Sequence, residues 1–143
     1  MNSTFPSNFQ TPNVPAGTAL AVGFDMESIE RVQRAIERGR NAFLERVFVP
    51  AEIEYCNARG NAKWQSFAVR WAAKEAFAKA AGTGIGAEIG FCDFAVENDD
   101  AGCPHAKLSA AGTRILEKMG ASRVLISLSH SHGFAGAFIV LTK

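Results

Sequence analysis

The sequence predicts an α+β fold, a single domain with helices packed on a mostly antiparallel sheet. Apolar runs of strand length stand near the start, "ALAVGF", and at the end, "RVLISLSH" and "FAGAFIVLT". Between them lie segments whose apolar residues recur at helical spacing. Turn-forming stretches, "SHG" and "DDAGCP", separate neighbouring strand candidates and favour hairpins.

The elements follow in order. Residues 1–17 carry Pro, Ser, Thr and Asn but neither a basic nor an apolar signal region, and read as a loose tail; the domain takes 18–143. "ALAVGF" is a buried strand that ends at Asp25. Ile29, Val32, Ala35 and Ile36 mark a helix over 28–38 with Ser28 as N-cap and Gly39 as its stop. "VPAEIEYCNARG" is a short helix with Pro50 in its first turn and Gly60 past its end. A long helix spans about 62–81 and closes at Gly82. "EIGFCDFAVEN" is a strand against which "HAKLS" can pair, and "SAAGTRILEKMG" is a weaker helix interrupted by Gly112. The last two runs form a C-terminal hairpin, which completes the order β-α-α-α-β-β-α-β-β.

Composition excludes several classes. A formal charge of +1 argues against a generally basic nucleic-acid binder, though not against a local basic patch. No apolar run approaches the ~18–20 residues that span a bilayer. The three cysteines, Cys56, Cys92 and Cys103, form no C-x-x-C pair and read as reduced thiols of a cytoplasmic protein.

The long helix is unusual. In "VRWAAKEAFAKAAGTGIG", Glu75 and Lys79 share one narrow seam and Arg70 and Lys74 another, with small or aromatic residues on both sides between. An exposed i,i+4 pair accounts for Glu75 and Lys79 at ~0.3–0.5 kcal/mol. The lack of a broad polar face points instead to partly buried charges, which need a metal, a phosphate or each other. "GTGIG" is not a phosphate loop, because it follows a helix instead of opening one, and it serves as a C-cap and tight turn.

Three other groups stand out. Asp25, at a strand-to-helix junction, is either a helix-start residue or, with Glu75, half of a carboxylate pair of the kind that holds Mg²⁺ against phosphates. Arg31, Arg34 and Arg38 fall on one helix face beside Glu27, Glu30 and Glu37, as a self-compensated surface or a docking stripe for an acidic protein. In "SLSHSH", extended geometry puts Ser127, Ser129 and Ser131 opposite His130 and His132; a zinc site lacks a third ligand and a hydrolase lacks its G-x-S-x-G elbow. "ENDDAG" lacks the EF-hand order.

Together "GFDMESIERV", "RWAAKEAFAKAAGTGIG", "DDAGCP" and "SLSH" before "FAGAFIV" resemble the holo-acyl-carrier-protein synthase family, the bacterial-type 4′-phosphopantetheinyl transferases, over about residues 20–141. The resemblance implies the 4′-phosphopantetheinyl transferase fold and Mg²⁺-dependent transfer of the phosphopantetheine arm of coenzyme A to a serine of an acyl carrier protein, or of a carrier domain of a fatty acid synthase. Adenosine 3′,5′-bisphosphate leaves. It implies Asp25 and Glu75 as metal ligands, with Lys79 catalytic beside them at the phosphates. Arg70 and His130 match the coenzyme's 3′-phosphate surroundings, Ser129 joins them among the cofactor-binding residues, and Gly102 and Pro104 match the adenine turn. Arg31 matches a carrier-docking residue, and Arg34 and Arg38 on the same stripe are read as docking residues with it. It leaves the base open between Glu75 and a metal-bound water, and implies a homotrimer with the active site between subunits. Met26 and Val49 depart from the pattern: Met26 should alter only packing, and Val49 removes a Thr cap from the next helix.

Overall fold

A computed structural model describes residues 17–143. Its elements run β1 (Ala19–Ser28), α1 (Ile29–Val47), α2 (Pro50–Asn57), α3 (Lys63–Ala80), β2 (Phe94–Asn98), β3 (Pro104–Leu108), α4 (Ala110–Lys118), β4 (Arg123–Ser131) and β5 (Phe134–Thr142). This is the expected α+β order, divided between two antiparallel sheets: β1-β5-β4, with β5 central, and the separate hairpin β2-β3. The expected loose tail lies outside the described residues except for Gly17, whose N–H donates to the Lys143 carbonyl at 2.8 Å. No helix among the described residues is long and apolar enough to cross a membrane.

The long helix α3 is the centre of the molecule. Phe67, Ala68, Ala72, Ala73, Ala76, Phe77 and Ala78 are fully buried along it, and its small residues let the sheet approach closely. Phe77 stacks on Phe94 of β2 at 4.8 Å, and Phe67 packs on Phe48 at 5.0 Å. After α3, the N–H groups of Thr83 and Gly84 both donate to the Ala78 carbonyl, so the glycine stretch closes the helix as expected.

Several boundaries differ from the sequence reading. β1 continues past Asp25 to Ser28, because residues 19 and 21–28 pair with β5. Ser28 does cap α1, accepting from the Arg31 N–H, but Gly39 does not end that helix. The chain kinks at Arg40 and helix resumes to Val47. β2 begins only at Phe94, after a 3-10 turn at Phe91–Asp93. Gly112 does not break α4: a Cβ there would lie 2.5 Å from the Asp93 carbonyl oxygen, so glycine lets the helix sit on that turn. Val49 indeed gives α2 no side-chain cap, and Glu52 compensates by accepting the Val49 N–H at 3.1 Å.

Arg40, at φ 50° and ψ −143°, occupies backbone space that suits glycine, and it is exposed. Such strain costs about 1–3 kcal/mol, against the ~1 kcal/mol or less by which glycine loosens the unfolded chain. Arg40→Gly is therefore expected to raise the thermal midpoint by a few degrees; a lowered midpoint would show that the kink carries no strain.

Candidate active site

β1 alternates. Val22, Phe24 and Met26 face outward and exposed, while Gly23, Asp25 and Glu27 face α3. Gly23 brings the two elements together, since a Cβ there would fall 1.9 Å from the backbone oxygen of Ala76. With strand and helix backbones this close, Asp25 meets Lys79. The Lys79 ammonium donates to Asp25 Oδ1 at 2.7 Å and to the Phe24 carbonyl at 3.1 Å. Lys79 thus pairs with Asp25 and not with Glu75 one turn earlier. Asp25 Oδ2 is buried with no hydrogen-bond partner.

Glu27, which sequence reasoning set aside as part of a compensated surface, belongs to this corner. Its pKa is pushed up to about 7, first by burial, then by the charge and close approach of the Asp25 carboxylate. Glu75 adds to the rise and Arg31 opposes it. The hydrogen bond to Asp25 is also the main cause that raises the Lys79 pKa, with smaller contributions from the charges of Asp25, Glu75 and Glu27. Three carboxylates therefore act on one lysine. The signal for Glu27 was available in D-x-E on one strand, which puts both carboxylates on the same face.

This donor set fits a hard divalent cation. Asp25 has an orphaned buried oxygen, and negative charge exceeds the single ammonium beside it. Among the described residues no group of three or more His, Cys, Asp or Glu is arranged to hold a metal ion. A cation here would rest on Asp25 and Glu75 and take its remaining ligands from substrate or water.

A second cluster lies at the middle of α3. Arg70 is buried, donates to Asn98 Oδ1 at 2.6 Å and to the Ser66 carbonyl at 3.3 Å, and stacks 4.2 Å over the Tyr55 ring. Asn98 in turn donates to the Gly102 carbonyl at 2.9 Å. The β2–β3 turn is held by Asp99, which accepts from the N–H groups of Ala101 and Cys103 and faces His105 at 2.8 Å. Pro104 opens β3 opposite Asn98. Arg70, Tyr55, Glu52, Val96, Asn98 and Lys107 line a hollow of about 250 Å³. Tyr55 and Asn98 carried no sequence signal, because their roles depend on which elements meet Arg70.

The remaining candidates are elsewhere. Lys79 lies nine positions after Arg70, about 13 Å along the helix. His130 stands in the row Glu27–Ala135–His130 across the sheet, two strand spacings or about 10 Å from Glu27. Ser129 points to the opposite face from His130, where it borders an outer hollow of about 330 Å³ with Phe24, Met26 and Phe138. His132 is not extended: it takes φ 50° in the hairpin turn and contacts Ser131 Oγ at 2.6 Å. Ser129 and His130 accordingly make no hydrolase pair. Arg31, Arg34 and Arg38 are all exposed on α1, and only Arg34 forms an ion pair among the described residues, with Glu30. Within one chain the structure joins Asp25, Glu27 and Lys79 near Glu75, and separately Arg70 to the Gly102 turn; it does not bring these two groups and His130 into one pocket.

A model of the 4′-phosphopantetheinyl transferase superfamily matches residues 21–136. The holo-acyl-carrier-protein synthase of Ruminiclostridium cellulolyticum is 40% identical over 86% of this chain and 92% of its own length. The synthase of Trichlorobacter lovleyi is 43% identical over 85% of this chain and 96% of its own. Among solved structures, the crystal structure of the Neisseria meningitidis synthase superposes with a TM-score of 0.80 at 34% identity, covering 88% of this chain and all of that one. The Helicobacter pylori synthase in complex with coenzyme A gives 0.74 at 32% identity, over 84% of this chain and 98% of that one. By fold, by its helix and strand order and by these matches, the chain belongs to the holo-acyl-carrier-protein synthases, enzymes of the 4′-phosphopantetheinyl transferase superfamily.

Proposed function

We propose that the enzyme transfers 4′-phosphopantetheine from coenzyme A to a serine of an acyl carrier protein, or a carrier domain of a fatty acid synthase, with Mg²⁺ present and adenosine 3′,5′-bisphosphate as product. The observation that carries the chemistry is the corner where Asp25, with one orphaned oxygen, meets Lys79 beside Glu75. Asp25 and Glu75 would hold Mg²⁺, which when bound neutralises phosphate charge. Two of the three donors of Lys79 are engaged by Asp25 and Phe24, and the third is available to the leaving bisphosphate. The carrier serine's oxygen bonds to phosphorus in line as the bridging P–O bond breaks, and its proton passes to a base. On this reading Arg70, Asn98, Gly102 and Pro104 receive the nucleotide end of the coenzyme, with His130 near its 3′-phosphate.

Because these groups lie apart in one chain, the reading includes a homotrimer with sites between subunits. The exposed apolar face of β1 and β5 supports it: Val22 is 58% exposed, Met26 55%, Phe24 53% and Phe134 51%. Light scattering is expected to give three chains per particle; a fully active monomer would exclude shared sites. The test of function is the mass of an acyl carrier protein after incubation with coenzyme A and Mg²⁺. A gain of one phosphopantetheine is expected, and an unchanged mass would sink the proposal.

Arg31 gives a test of carrier docking. It is exposed, and it stands on the helix that directly follows the strand carrying Asp25. Carrier proteins are typically acidic, so a basic stripe would steer and orient them. Arg31→Glu is expected to raise the carrier KM strongly with the coenzyme A KM nearly unchanged. The wild-type carrier KM should also rise with salt, since exposed charges are screened over ~8–10 Å. Arg38, further along and close to the kink at Arg40, should matter less. An unchanged carrier KM in the Arg31 variant would leave the stripe as solvated surface.

A further inference from the structure

Lys74 immediately precedes the candidate ligand Glu75, yet it points the other way and is completely buried. Its ammonium meets three acceptors: Glu52 Oε2 at 2.8 Å, the Phe94 carbonyl at 2.6 Å and the Phe91 carbonyl at 2.9 Å. These match the three donors of a charged lysine. Glu52 is satisfied as completely. Its Oε2 also accepts from the Val49 N–H at 3.1 Å, and its Oε1 accepts from the Val96 N–H at 2.9 Å. One buried node thus joins α3, the start of α2, the turn before β2, and β2 itself. Two residues beyond Val96 on the same strand is Asn98, which bonds both Arg70 and the Gly102 carbonyl. Glu52 and Val96 also line the hollow beside Arg70.

A buried ion pair is often replaceable by apolar residues without loss of stability, so stability alone is a poor reason for this one. What apolar packing cannot supply is register. The node fixes where β2 lies along α3, hence where Asn98 and the Gly102 turn stand relative to Arg70. The reactive corner has a separate anchor, the close contact of Gly23 with Ala76.

We propose that Lys74 and Glu52 are positioning residues for donor binding: they hold the β2–β3 hairpin in register with α3 so that Arg70, Asn98 and Gly102 present one preformed surface to the nucleotide end of coenzyme A. This rests on the placement of the donor site given above.

Glu52→Gln tests it at constant volume. An amide has one acceptor side, so if its oxygen faces Lys74 and Val49, its NH₂ opposes the Val96 N–H, donor against donor. The reverse orientation sets NH₂ against the ammonium. The first orientation loses one tie and the second loses two, those to Lys74 and Val49. The expected result is a coenzyme A KM about tenfold higher, the scale of one lost buried hydrogen bond. kcat and carrier KM should stay near wild type, and the affinity for adenosine 3′,5′-bisphosphate by calorimetry should fall by the same factor. Should Glu52→Gln fold poorly, Lys74→Met/Glu52→Gln removes the charge on both sides and leaves the amide oxygen free for Val96; it too should lose donor affinity while carrier KM holds. Asn98→Ala, measured alongside, checks the donor site itself. If Asn98→Ala weakens coenzyme A binding and the node variants do not, or if they lower kcat and both affinities in step with stability, the node is structural only and the proposal is overturned. If Asn98→Ala leaves donor affinity unchanged, the donor-site placement fails first and the positioning role with it.

Discussion

Asp25→Asn and Glu75→Gln are each expected to leave a folded protein whose Mg²⁺-dependent transfer has fallen at least about 100-fold, the upper end of what loss of a metal site's supporting contact costs. An amide is nearly the size of a carboxylate but lacks the anionic oxygen that binds a hard cation. The two variants should not behave alike. Glu75 has no ion pair with Lys79, so Glu75→Gln removes the proposed ligand and little else, and high Mg²⁺ should recover part of its rate. Asp25 pairs with Lys79 at 2.7 Å as well as presenting the orphaned oxygen, so Asp25→Asn also takes the negative charge from that ion pair and Mg²⁺ should recover less. Rates measured across a Mg²⁺ titration, with circular dichroism as the check on folding, decide the matter. Near-normal rates for either variant at low Mg²⁺ would defeat the assignment.

Much of this arrangement was legible in the sequence because it depends on local chemistry. Period-2 and helical spacing located each element, Ser28 is the N-cap it was read to be, and "SHG" and "DDAGCP" do turn the two hairpins. The two charged seams of α3 were also legible, as was the need of partly buried charges for partners. What stayed hidden were the partners themselves, which come from other elements. Nothing in "AEIEYC" marks Glu52, rather than Glu54, as the one that turns inward to Lys74. Nothing local decides that Lys79 reaches across to Asp25 instead of back to Glu75. The extension of β1 through Glu27 was missed for a similar reason: "MES" is not apolar, and it is held extended by its pairing with β5. Glycine disfavours helix, so the sequence points to a stop at Gly39, whereas the chain turns at Arg40, which has no local preference for that backbone state. The same propensity suggests an interruption at Gly112, and the close approach to the Asp93 carbonyl outweighs it.

Gly23→Ala is expected to lower kcat/KM by about two orders of magnitude, although alanine is the smallest side chain that can be added. The added Cβ would stand 1.9 Å from the Ala76 oxygen and 2.9 Å from the Ala80 nitrogen. Both are backbone atoms of α3, so no rotamer change relieves the clash, and neither does trimming Ala76 to glycine. The strand has to move away from the helix by an ångström or more. Overpacking of this kind costs about 1–3 kcal/mol in stability, which a domain of ordinary stability survives. The expected catalytic cost is larger, because the same contact places Asp25 against Lys79, the proposed phosphate-facing pair, and a misplacement of about 1 Å can cost ~10²-fold in rate. Gly90→Ala is the matched control: its Cβ would meet nothing nearer than an Asp93 carboxylate oxygen at 3.7 Å, and it should leave kcat/KM close to wild type. The Gly23→Ala/Ala76→Gly double variant separates the two sources of crowding. If it regained wild-type activity, side-chain volume and not the backbone contact would be setting the strand–helix distance, and the position of Asp25 would need another cause.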